Sequence, residues 1–348
     1  MTEHIGVLGA GSWGTTFAKV LADAGQRVCL WARNPDTATE ITTEHTNKRY
    51  LKDVTLPETV YSSADIAEVV HRAGIIVLAL PAQSLRDNLS TWWDEGIFDN
   101  RSSTPVVVSL MKGIEAGTGL RMSQVIAETL RVPKANIAVV SGPNLAKEIA
   151  AGEPTATVIA SESGDTAERV AAVSANTYFR PYTNPDVVGV ELGGAVKNVI
   201  ALAVGMADGQ GLGDNSKASI ITRGLAETTR LAVALGGSAH TLSGLAGLGD
   251  LVATCASPLS RNRSFGRLLG SGISFAEATQ QTWQTAEGVK SAAAVTGLGR
   301  AVGVELPIAQ AVVAVLDGDI QVDDLAGLLL SRKRKTELSH LPSGTVHT

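Results

Sequence analysis

A chain of 348 residues with 44% hydrophobic residues is long enough to form two domains, each with its own hydrophobic core. Its net charge of −5 excludes a general electrostatic attraction to nucleic acid. The two cysteines, Cys29 and Cys255, lie far apart and lack the spacing of metal ligands, which predicts unpaired thiols in a reducing cytoplasm and no metal site.

Two further absences shape the expectations for localisation. The first predicted strand begins at Ile5, which leaves no room for a secretory signal peptide. No apolar run approaches the roughly 20 residues that a membrane helix needs, so we expect no membrane span. Both observations favour a cytoplasmic protein.

A glycine motif lies between the first predicted strand, residues 5–8, and the first predicted helix, residues 15–22. Gly9, Gly11 and Gly14 have the spacing G-x-G-x-x-G. In a dinucleotide-binding turn the first glycine allows the tight turn, the second lets a pyrophosphate approach the backbone, and the third lets helix and strand pack closely. The motif predicts dinucleotide binding at this helix N-terminus. A glycine-rich turn in another α/β fold is the alternative.

The second predicted strand, residues 27–32, indicates which dinucleotide is bound. An NAD-preferring site usually has an acidic residue at the end of this strand, whereas this chain has Arg33 there. Arginine donates charge-assisted hydrogen bonds to phosphate, which favours NADP over NAD as the cofactor. A solvated arginine, with the adenosine held mainly by stacking and mixed cofactor use, stays open as the alternative.

More strands with continuous apolar character follow in the first half of the chain. They are predicted at residues 74–80, 106–110, 137–140, 156–160 and 179–183. Apolar strands between helical stretches predict a mostly parallel sheet covered on both faces, of the α/β Rossmann-like class. Ligands of such a sheet bind beyond the carboxyl ends of the strands. Those ends carry the glycine motif, Arg33, Pro81, Lys112 and the segment 141–144.

After about residue 188 the pattern is helical throughout. Helices are predicted at residues 190–205, 217–235, 242–254, 263–269, 275–281, 290–302 and 307–315. We therefore expect a Rossmann-like domain at 1–188, an all-α domain at 189–330 and a flexible tail at 331–348. The basic run in the tail is expected to be solvated, with binding of nucleic acid or anionic lipid as the alternative.

Lys197 lies on a helix with two unusual glycines beneath it. A helical side chain leans over the preceding turn, and here that turn contains Gly193 and Gly194. Each glycine costs roughly 1 kcal/mol in helix propensity, so a small molecule or the other domain is expected to lie against the bare backbone. A lysine in such a place can have a lowered pKa and transfer a proton. An ordinary snorkelling lysine is the alternative.

Two later stretches strengthen this interpretation. Asp250 follows the small and apolar residues 244–249, where an unpaired charge would be costly and a lysine is the natural partner. Ser260, Arg261 and Asn262 open a new helix and resemble a phosphate site at a helix N-terminus. A plain N-cap serine and a surface arginine are the alternatives for this second stretch.

Six motifs occur in an order that is specific enough to resemble a known family. They are Gly9-Ala10-Gly11-Ser12-Trp13-Gly14, Met111-Lys112-Gly113-Ile114, Ser141-Gly142-Pro143-Asn144-Leu145-Ala146, the segment 191–198, Gly247-Leu248-Gly249-Asp250 and Ser260-Arg261-Asn262. Together they resemble the bacterial type of NAD(P)-dependent glycerol-3-phosphate dehydrogenase over the chain to about residue 330. The resemblance implies an active site between the two domains and reversible reduction of dihydroxyacetone phosphate to sn-glycerol 3-phosphate, which feeds glycerophospholipid synthesis.

The resemblance also implies residue roles, with Lys197 as the proton-transfer residue. The expected substrate-binding positions are Lys112, Gly142, Asn144, Lys197, Asn198, Asp250, Thr254, Ser260, Arg261 and Asn262. The expected cofactor-binding positions are Gly9, Gly11, Ser12, Trp13, Gly14, Arg33, Lys112, Ala146, Arg261 and Glu287. Asn144 departs from the family pattern, in which threonine or serine is common, and Ala286 departs from the usual valine before Glu287.

The chemistry implied by this site fits the residues. Hydride delivery to the ketone carbon builds negative charge on the oxygen, which an ammonium group of Lys197 would stabilise and protonate. Two other functions stay open. A related β-hydroxyacid dehydrogenase would act on a carboxylate, and a non-catalytic NADP(H) sensor would need no pairing of Lys197 with Asp250. The sequence does not fix the oligomeric state, for which a homodimer through the helical domain is the prediction.

Overall fold

A sheet of eight strands lies in the first part of the chain in the computed structural model, which describes residues 2–99, 104–282 and 286–324. The strands are β1 His4–Leu8, β2 Arg27–Trp31, β3 Val60–Ser63, β4 Ile75–Leu78, β5 Val106–Ser109, β6 Ile137–Ser141, β7 Thr155–Ala160 and β8 Phe179–Asn184. The flexible tail predicted at 331–348 lies outside the described residues.

The strand order is β3-β2-β1-β4-β5-β6-β7-β8. Neighbouring strands are parallel, except that β7 runs antiparallel to β6. The order reverses between β1 and β4, which creates the crevice where α/β sheets of this type bind ligands. The predicted Rossmann-like, mostly parallel sheet is therefore confirmed, and the predicted strand ends agree to within about two residues.

Strand β3 was not predicted, and its sequence explains why. Val60-Tyr61-Ser62-Ser63 has one fully buried residue and lies at the sheet edge, so it lacks the continuous apolar run of the central strands.

Helices cover both faces of this sheet. They are α1 Ser12–Asp23, α2 Pro35–Glu44, α3 Ile66–His71, α4 Leu85–Asp94, α5 Met122–Leu130, α6 Ala146–Ala150 and α7 Gly164–Ser174. One core lies between the sheet and α1, and a second core on the opposite face lies between the sheet and helices α3, α4 and α5.

The remaining described residues contain helices and no named strand. The helices are α8 Val187–Gly209, α9 Asp214–Ala234, α10 Ala239–Ser243, α11 Asp250–Ala256, α12 Arg261–Gly270, α13 Phe275–Gln281, α14 Glu287–Ala301 and α15 Pro307–Asp317. They enclose α8, whose residues form the centre of a separate hydrophobic core.

The single helix predicted at 242–254 was wrong. The structure divides it into α10, a π-helical turn at Leu245–Gly249, and α11. Glycine disfavours a continuous helix, and this stretch contains Gly244, Gly247 and Gly249. The turn packs on α8 so closely that a Cβ on Gly193 would lie 2.4 Å from the carbonyl oxygen of Ala246.

The expectation about apolar runs also needs a correction. Helix α8 has 23 residues and is long and apolar enough to cross a membrane by length and composition. Protein covers 94% of its apolar window, and it carries Glu191 and Lys197 in its buried surface. Because other helices surround it, α8 is the core helix of the helical unit in this structure.

Glycines allow α8 and α12 to cross at very short range. A Cβ on Gly205 would lie 2.1 Å from the carbonyl oxygen of Arg263, and one on Gly266 would lie 2.2 Å from that of Leu202. Backbone atoms cannot move aside as a flexible side chain can. The crossing therefore fixes the position of the α12 N-terminus, where Ser260, Arg261 and Asn262 stand.

We predict that Gly266→Ala destabilises the protein by about 1–3 kcal/mol, as overpacking of a tight interior does. The matched control is Gly297→Ala in α14, where a Cβ would meet only Arg300 Nη2, at 3.9 Å. That control should be neutral or stabilising by up to about 1 kcal/mol, because alanine is the better helix former. Urea denaturation measures both, and equal free energies of unfolding for the two variants would contradict the proposed helix crossing.

Candidate active site

The glycine motif lies at the crevice between β1 and β4, and its geometry explains each glycine. Gly9 has a φ of +123°, and a Cβ there would lie 2.5 Å from the carbonyl oxygen of Ala79. A Cβ on Gly14 would lie 1.9 Å from the carbonyl oxygen of Gly9. Gly11 has open space where its Cβ would stand, so a ligand can approach its backbone. These are the three functions that the spacing predicts.

The residues around Gly11 fit a dinucleotide. Ser12 begins α1, and no side chain caps this helix, so its N-terminal N–H groups face the crevice. Trp13 Nε1 is buried without a hydrogen-bond partner among the described residues. Ala146 begins α6 and accepts a hydrogen bond from Thr16 on α1 at 3.2 Å, which ties this second helix start to the same crevice.

Arg33 stands just beyond the C-terminal end of β2 and is exposed. Asn34 next to it caps α2, since its side chain accepts hydrogen bonds from the N–H groups of Asp36 at 2.7 Å and Thr37 at 3.3 Å. Asn34 is therefore engaged by the backbone, and Arg33 is the charged side chain at the strand end. This position is compatible with the predicted contact to an adenosine 2′-phosphate.

The centre of the site is a buried carboxylate between two lysines. Asp250 is 1% exposed, and its Oδ1 accepts a hydrogen bond from Lys197 Nζ at 2.5 Å. Its Oδ2 accepts one from Lys112 Nζ, also at 2.5 Å. Lys197 Nζ also donates to Thr254 Oγ1 at 2.7 Å, and Lys112 Nζ donates to the carbonyl oxygen of Gly142 at 2.9 Å. The lysine partner predicted for Asp250 is thus present twice.

Three elements bring these groups together. Lys112 follows β5, Lys197 lies in the middle of α8, and Asp250 and Thr254 share one face of α11. The two glycines before Lys197 allow the approach. A Cβ on Gly194 would lie 2.7 Å from Ser141 Oγ and 3.3 Å from Lys112 Cγ. The first part of the chain therefore does lie against the bare backbone under Lys197.

Burial affects Lys112 most clearly. Removal from water disfavours its charged form and, together with a smaller effect of Lys197, lowers the Lys112 pKa to about 7. The carboxylate of Asp250 opposes this effect. At neutral pH, therefore, Lys112 can both hold and release a proton.

Two asparagines extend the site. Gly288 N–H donates to Asn262 Oδ1 at 2.9 Å, Asn262 Nδ2 donates to Asn198 Oδ1 at 2.9 Å, and Asn198 Nδ2 lies 3.4 Å from the carbonyl oxygen of Lys112. This chain of hydrogen bonds connects α14, α12 and α8 with the Lys112 segment. Both asparagines are buried.

The predicted phosphate-binding turn, Ser260-Arg261-Asn262, lies at the N-terminus of α12. Ser260 is the N-cap of α12, and its Oγ accepts a hydrogen bond from Arg263 N–H at 3.2 Å, which is the structural role considered as the alternative. Arg261 is the first residue of α12 and is exposed. The N-terminus of α12 carries Asn262, whose side chain is hydrogen-bonded to Asn198, the residue after Lys197 on α8. The geometry is compatible with an anion at this end of the cluster.

Several buried polar atoms have no hydrogen-bond partner among the described residues. They include both amide atoms of Asn144 and Glu287 Oε2 from the predicted set, and Ser141 Oγ and Ser291 Oγ, which were given no role. Burial raises the pKa of Glu287. Buried polar atoms normally have partners, so these atoms are candidates for contacts with a polar ligand. Ser291 was not predicted from the sequence, although it follows Glu287 by one helical turn on α14, and this spacing is the signal that could have found it.

The described residues contain no group of three or more His, Cys, Asp or Glu side chains suited to a metal ion. Cys29 and Cys255 are buried and unpaired.

The fold and this site define a class, the two-domain dehydrogenases that use a nicotinamide dinucleotide. Residues 4–167 match the family model described as the NAD-dependent glycerol-3-phosphate dehydrogenase N-terminus. Residues 186–327 match the model for the C-terminus of the same family. The chain belongs to the NAD-dependent glycerol-3-phosphate dehydrogenase family.

Similar proteins agree with this assignment. The chain is 55% identical over 334 residues to a glycerol-3-phosphate dehydrogenase [NAD(P)+] of Thermobifida fusca, covering 96% of this chain and 98% of that one. It is 57% identical to the enzyme of that name from Nocardia farcinica, covering 95% and 98%. The crystal structure of glycerol-3-phosphate dehydrogenase from Coxiella burnetii superposes with a TM-score of 0.89 at 37% identity, covering 95% and 99%. The cofactor is accordingly NAD or NADP.

We predict that the Lys112 ammonium titrates near pH 7, far below the ordinary lysine value of 10.5. The measurement is the ¹⁵N chemical shift of Nζ in protein labelled at lysine, with Lys112→Arg to identify the resonance. Asp250→Asn should lower the pKa of Lys112 further, because it removes the negative charge that favours the ammonium form. Titration of Lys112 near its ordinary value would show that water, and not burial, determines its charge.

Proposed function

We propose that this protein catalyses the reversible NAD(P)H-dependent reduction of dihydroxyacetone phosphate to sn-glycerol 3-phosphate. The single observation that carries the proposal is the convergence of Lys112 and Lys197 on Asp250 between the two parts of the chain. This cluster offers two ammonium groups near one point, beside a crevice suited to a dinucleotide. Reduction of a ketone needs positive charge and a proton at the same oxygen.

The bound nicotinamide supplies the hydride in this reaction. Lys197 Nζ donates a proton to the ketone oxygen, and in the reverse direction its neutral amine accepts the proton from the alcohol. Asp250 and Thr254 hold Lys197 Nζ in place at 2.5 and 2.7 Å. Lys112 adds a second positive charge from the other side. When both lysines are protonated, the cluster carries one more positive than negative charge, which matches the single negative charge that develops on the oxygen.

The substrate phosphate binds at the N-terminus of α12 in this proposal. Arg261 provides a planar cation there, and the first turn of the helix provides N–H groups and a partial positive charge. Gly142, Asn144, Asn198 and Asn262 are the further substrate contacts in this proposal. Gly142 has a φ of +140°, a conformation that suits glycine, and its carbonyl oxygen orients Lys112.

The cofactor binds across the glycine motif, with Ser12, Trp13, Ala146 and Glu287 as further contacts. Arg33 gives a preference for NADPH over NADH. We also propose that the enzyme is a cytoplasmic homodimer that supplies glycerophospholipid synthesis. Exposed apolar side chains on the helical part, among them Leu248, Val252 and Leu259, support an association between copies.

The experiment that tests the activity compares wild type with Lys197→Ala, using NADPH oxidation by dihydroxyacetone phosphate. Loss of the proton donor should lower turnover roughly 10²–10⁴-fold, while NADPH affinity measured by fluorescence titration should hardly change. Lys217→Ala is the control, since Lys217 pairs with Asp208 and Asp214 away from the site. It should keep wild-type turnover.

The same assay separates the other functions. A β-hydroxyacid dehydrogenase would reduce a keto acid and leave dihydroxyacetone phosphate unchanged. A sensor would bind NADPH without turnover of either ketone. A Lys197→Ala variant with more than about half of the wild-type turnover would remove this lysine from the mechanism.

We predict that Arg33→Ala weakens NADPH binding by about 10–100-fold and leaves NADH binding nearly unchanged. A charged hydrogen bond to the 2′-phosphate is worth on the order of 1.5–3 kcal/mol, which corresponds to this factor. Dissociation constants for both cofactors, measured at one salt concentration, test the prediction. Equal losses for NADPH and NADH would mean that Arg33 contacts adenine and does not distinguish the phosphate.

A further inference from the structure

Helix α8 carries a buried carboxylate of its own, in addition to the Asp250 cluster around Lys197. Glu191 is 5% exposed and lies on the same helix as Lys197. Its Oε1 accepts a hydrogen bond from Ser123 N–H at 2.8 Å, and its Oε2 accepts one from Ser123 Oγ at 2.6 Å. The guanidinium of Arg121 forms an ion pair with the same carboxylate. All these donors belong to the start of α5, in the first part of the chain.

The segment that leads to α5 is the one that carries Lys112. It leaves β5, passes Lys112 and turns back on itself. Glu115 N–H donates to the carbonyl oxygen of Leu120 at 2.9 Å, and Ile114 forms an antiparallel bridge with Arg121. Arg121 is therefore held within a short, hydrogen-bonded loop whose other end is Lys112.

The contacts form a closed circuit. Lys112 and Lys197 meet directly at Asp250. Glu191 and Lys197 are six residues apart on one rigid helix, a rise of roughly 9 Å. Arg121 pairs with Glu191, and the loop leads from Arg121 back to Lys112. The Lys112 segment is thus attached to α8 at two places, through Asp250 to Lys197 and through Arg121 to Glu191.

The local energetics show that this second attachment is specific. A buried carboxylate is costly unless it is paired and hydrogen-bonded. Glu191 has an arginine, a hydroxyl and a backbone N–H as partners, and it caps the N-terminus of α5 from a different helix. The N-terminus of α5 also has a local cap, since Gln124 Oε1 accepts a hydrogen bond from Arg121 N–H at 3.0 Å. The use of a distant glutamate joins α5 to α8 in a fixed orientation.

We propose that Glu191 is a positioning residue, which holds the Lys112 loop against α8 so that Lys112 and Lys197 keep the separation at which Asp250 bridges them. This inference rests on the proposed reduction of dihydroxyacetone phosphate for its kinetic consequence. Its structural consequence does not depend on that reaction. Removal of the Glu191 charge moves Lys112 relative to Asp250 and Lys197, the charged groups that face it.

The test uses Glu191→Gln, with Asp186→Asn as the matched control. Asp186 is the N-cap of the same helix and accepts hydrogen bonds from Gly189 N–H and Ser238 N–H, both at 2.8 Å. Among the described residues, the Asp186 side chain has no hydrogen bond to the Lys112 loop. Both variants remove a charge that stabilises α8, so a merely structural effect should be similar in the two.

We expect Glu191→Gln to lower kcat for dihydroxyacetone phosphate reduction at least about tenfold and to change the KM for NADPH less than about twofold. The pKa of Lys112 Nζ should also shift by a measurable fraction of a pH unit. Asp186→Asn should lower the melting temperature and leave kcat and the Lys112 titration at wild-type values. Arg121→Gln combined with Glu191→Gln should lose little more than the single variant, because both changes break the same attachment.

Three results would overturn the inference. The first is a Glu191→Gln variant with wild-type kcat and an unshifted Lys112 titration. The second is an equal fall in kcat for Asp186→Asn at equal loss of melting temperature. If Glu191→Gln does not fold, Ser123→Ala decides the question, because it removes only one hydrogen-bond donor to Glu191. This variant should lower kcat about threefold. The third result is a Ser123→Ala variant with unchanged kcat and an unchanged Lys112 titration. A wild-type chain without turnover contradicts the proposed function, whereas the Lys112 titration still tests Glu191.

Discussion

The burial of Asp250 is the constraint on which the rest of this structure depends. A carboxylate that is 1% exposed must have partners of opposite charge, or it would exist in its neutral form. Its two partners come from different parts of the chain, Lys112 from the loop after β5 and Lys197 from α8. The Rossmann-like sheet and the helical unit therefore have one relative position that satisfies Asp250. This interaction between the two parts is also the proposed chemical centre, so folding and catalysis share one geometry.

Close backbone contact is the second condition, and glycine supplies it. Helix α8 is covered on nearly all sides, which requires its neighbours to approach at the distance of backbone atoms. Gly193 admits the π-helical turn, Gly194 admits the Lys112 segment, and Gly205 admits α12. Each glycine lowers helix propensity by roughly 1 kcal/mol, and the packing that it permits offsets this cost. The helix is stable because of its surroundings and carries charged residues only where partners meet them.

The sequence predicts the features that a single segment determines. The central strands have continuous apolar runs, and the glycine motif has a fixed spacing, so the sheet and the dinucleotide crevice could be predicted. Strand β3 could not, because an edge strand needs little apolar character. The interruption of the helix at 242–254 goes together with its three glycines and with its close contact with α8, and hydrophobic periodicity contains neither. The carboxylate at Asp250 predicted a lysine partner, but the presence of two lysines follows from tertiary structure alone.

The hydrogen bonds around Asn198 and Asn262 explain why amides stand next to this cluster. Each asparagine accepts one hydrogen bond through its oxygen and donates one through its nitrogen, in a single direction from Gly288 N–H to the carbonyl oxygen of Lys112. An aspartate at either position could not donate to the next acceptor, and its charge would compete with Asp250 for the lysines. A leucine would leave a buried N–H and a buried carbonyl without partners. The amide is the side chain that connects α14, which carries Glu287, to the Lys112 segment without changing the charge of the cluster. The predicted cofactor contacts and the predicted proton-transfer site are therefore joined by neutral hydrogen bonds, and the net positive charge stays where the ketone oxygen is expected to bind.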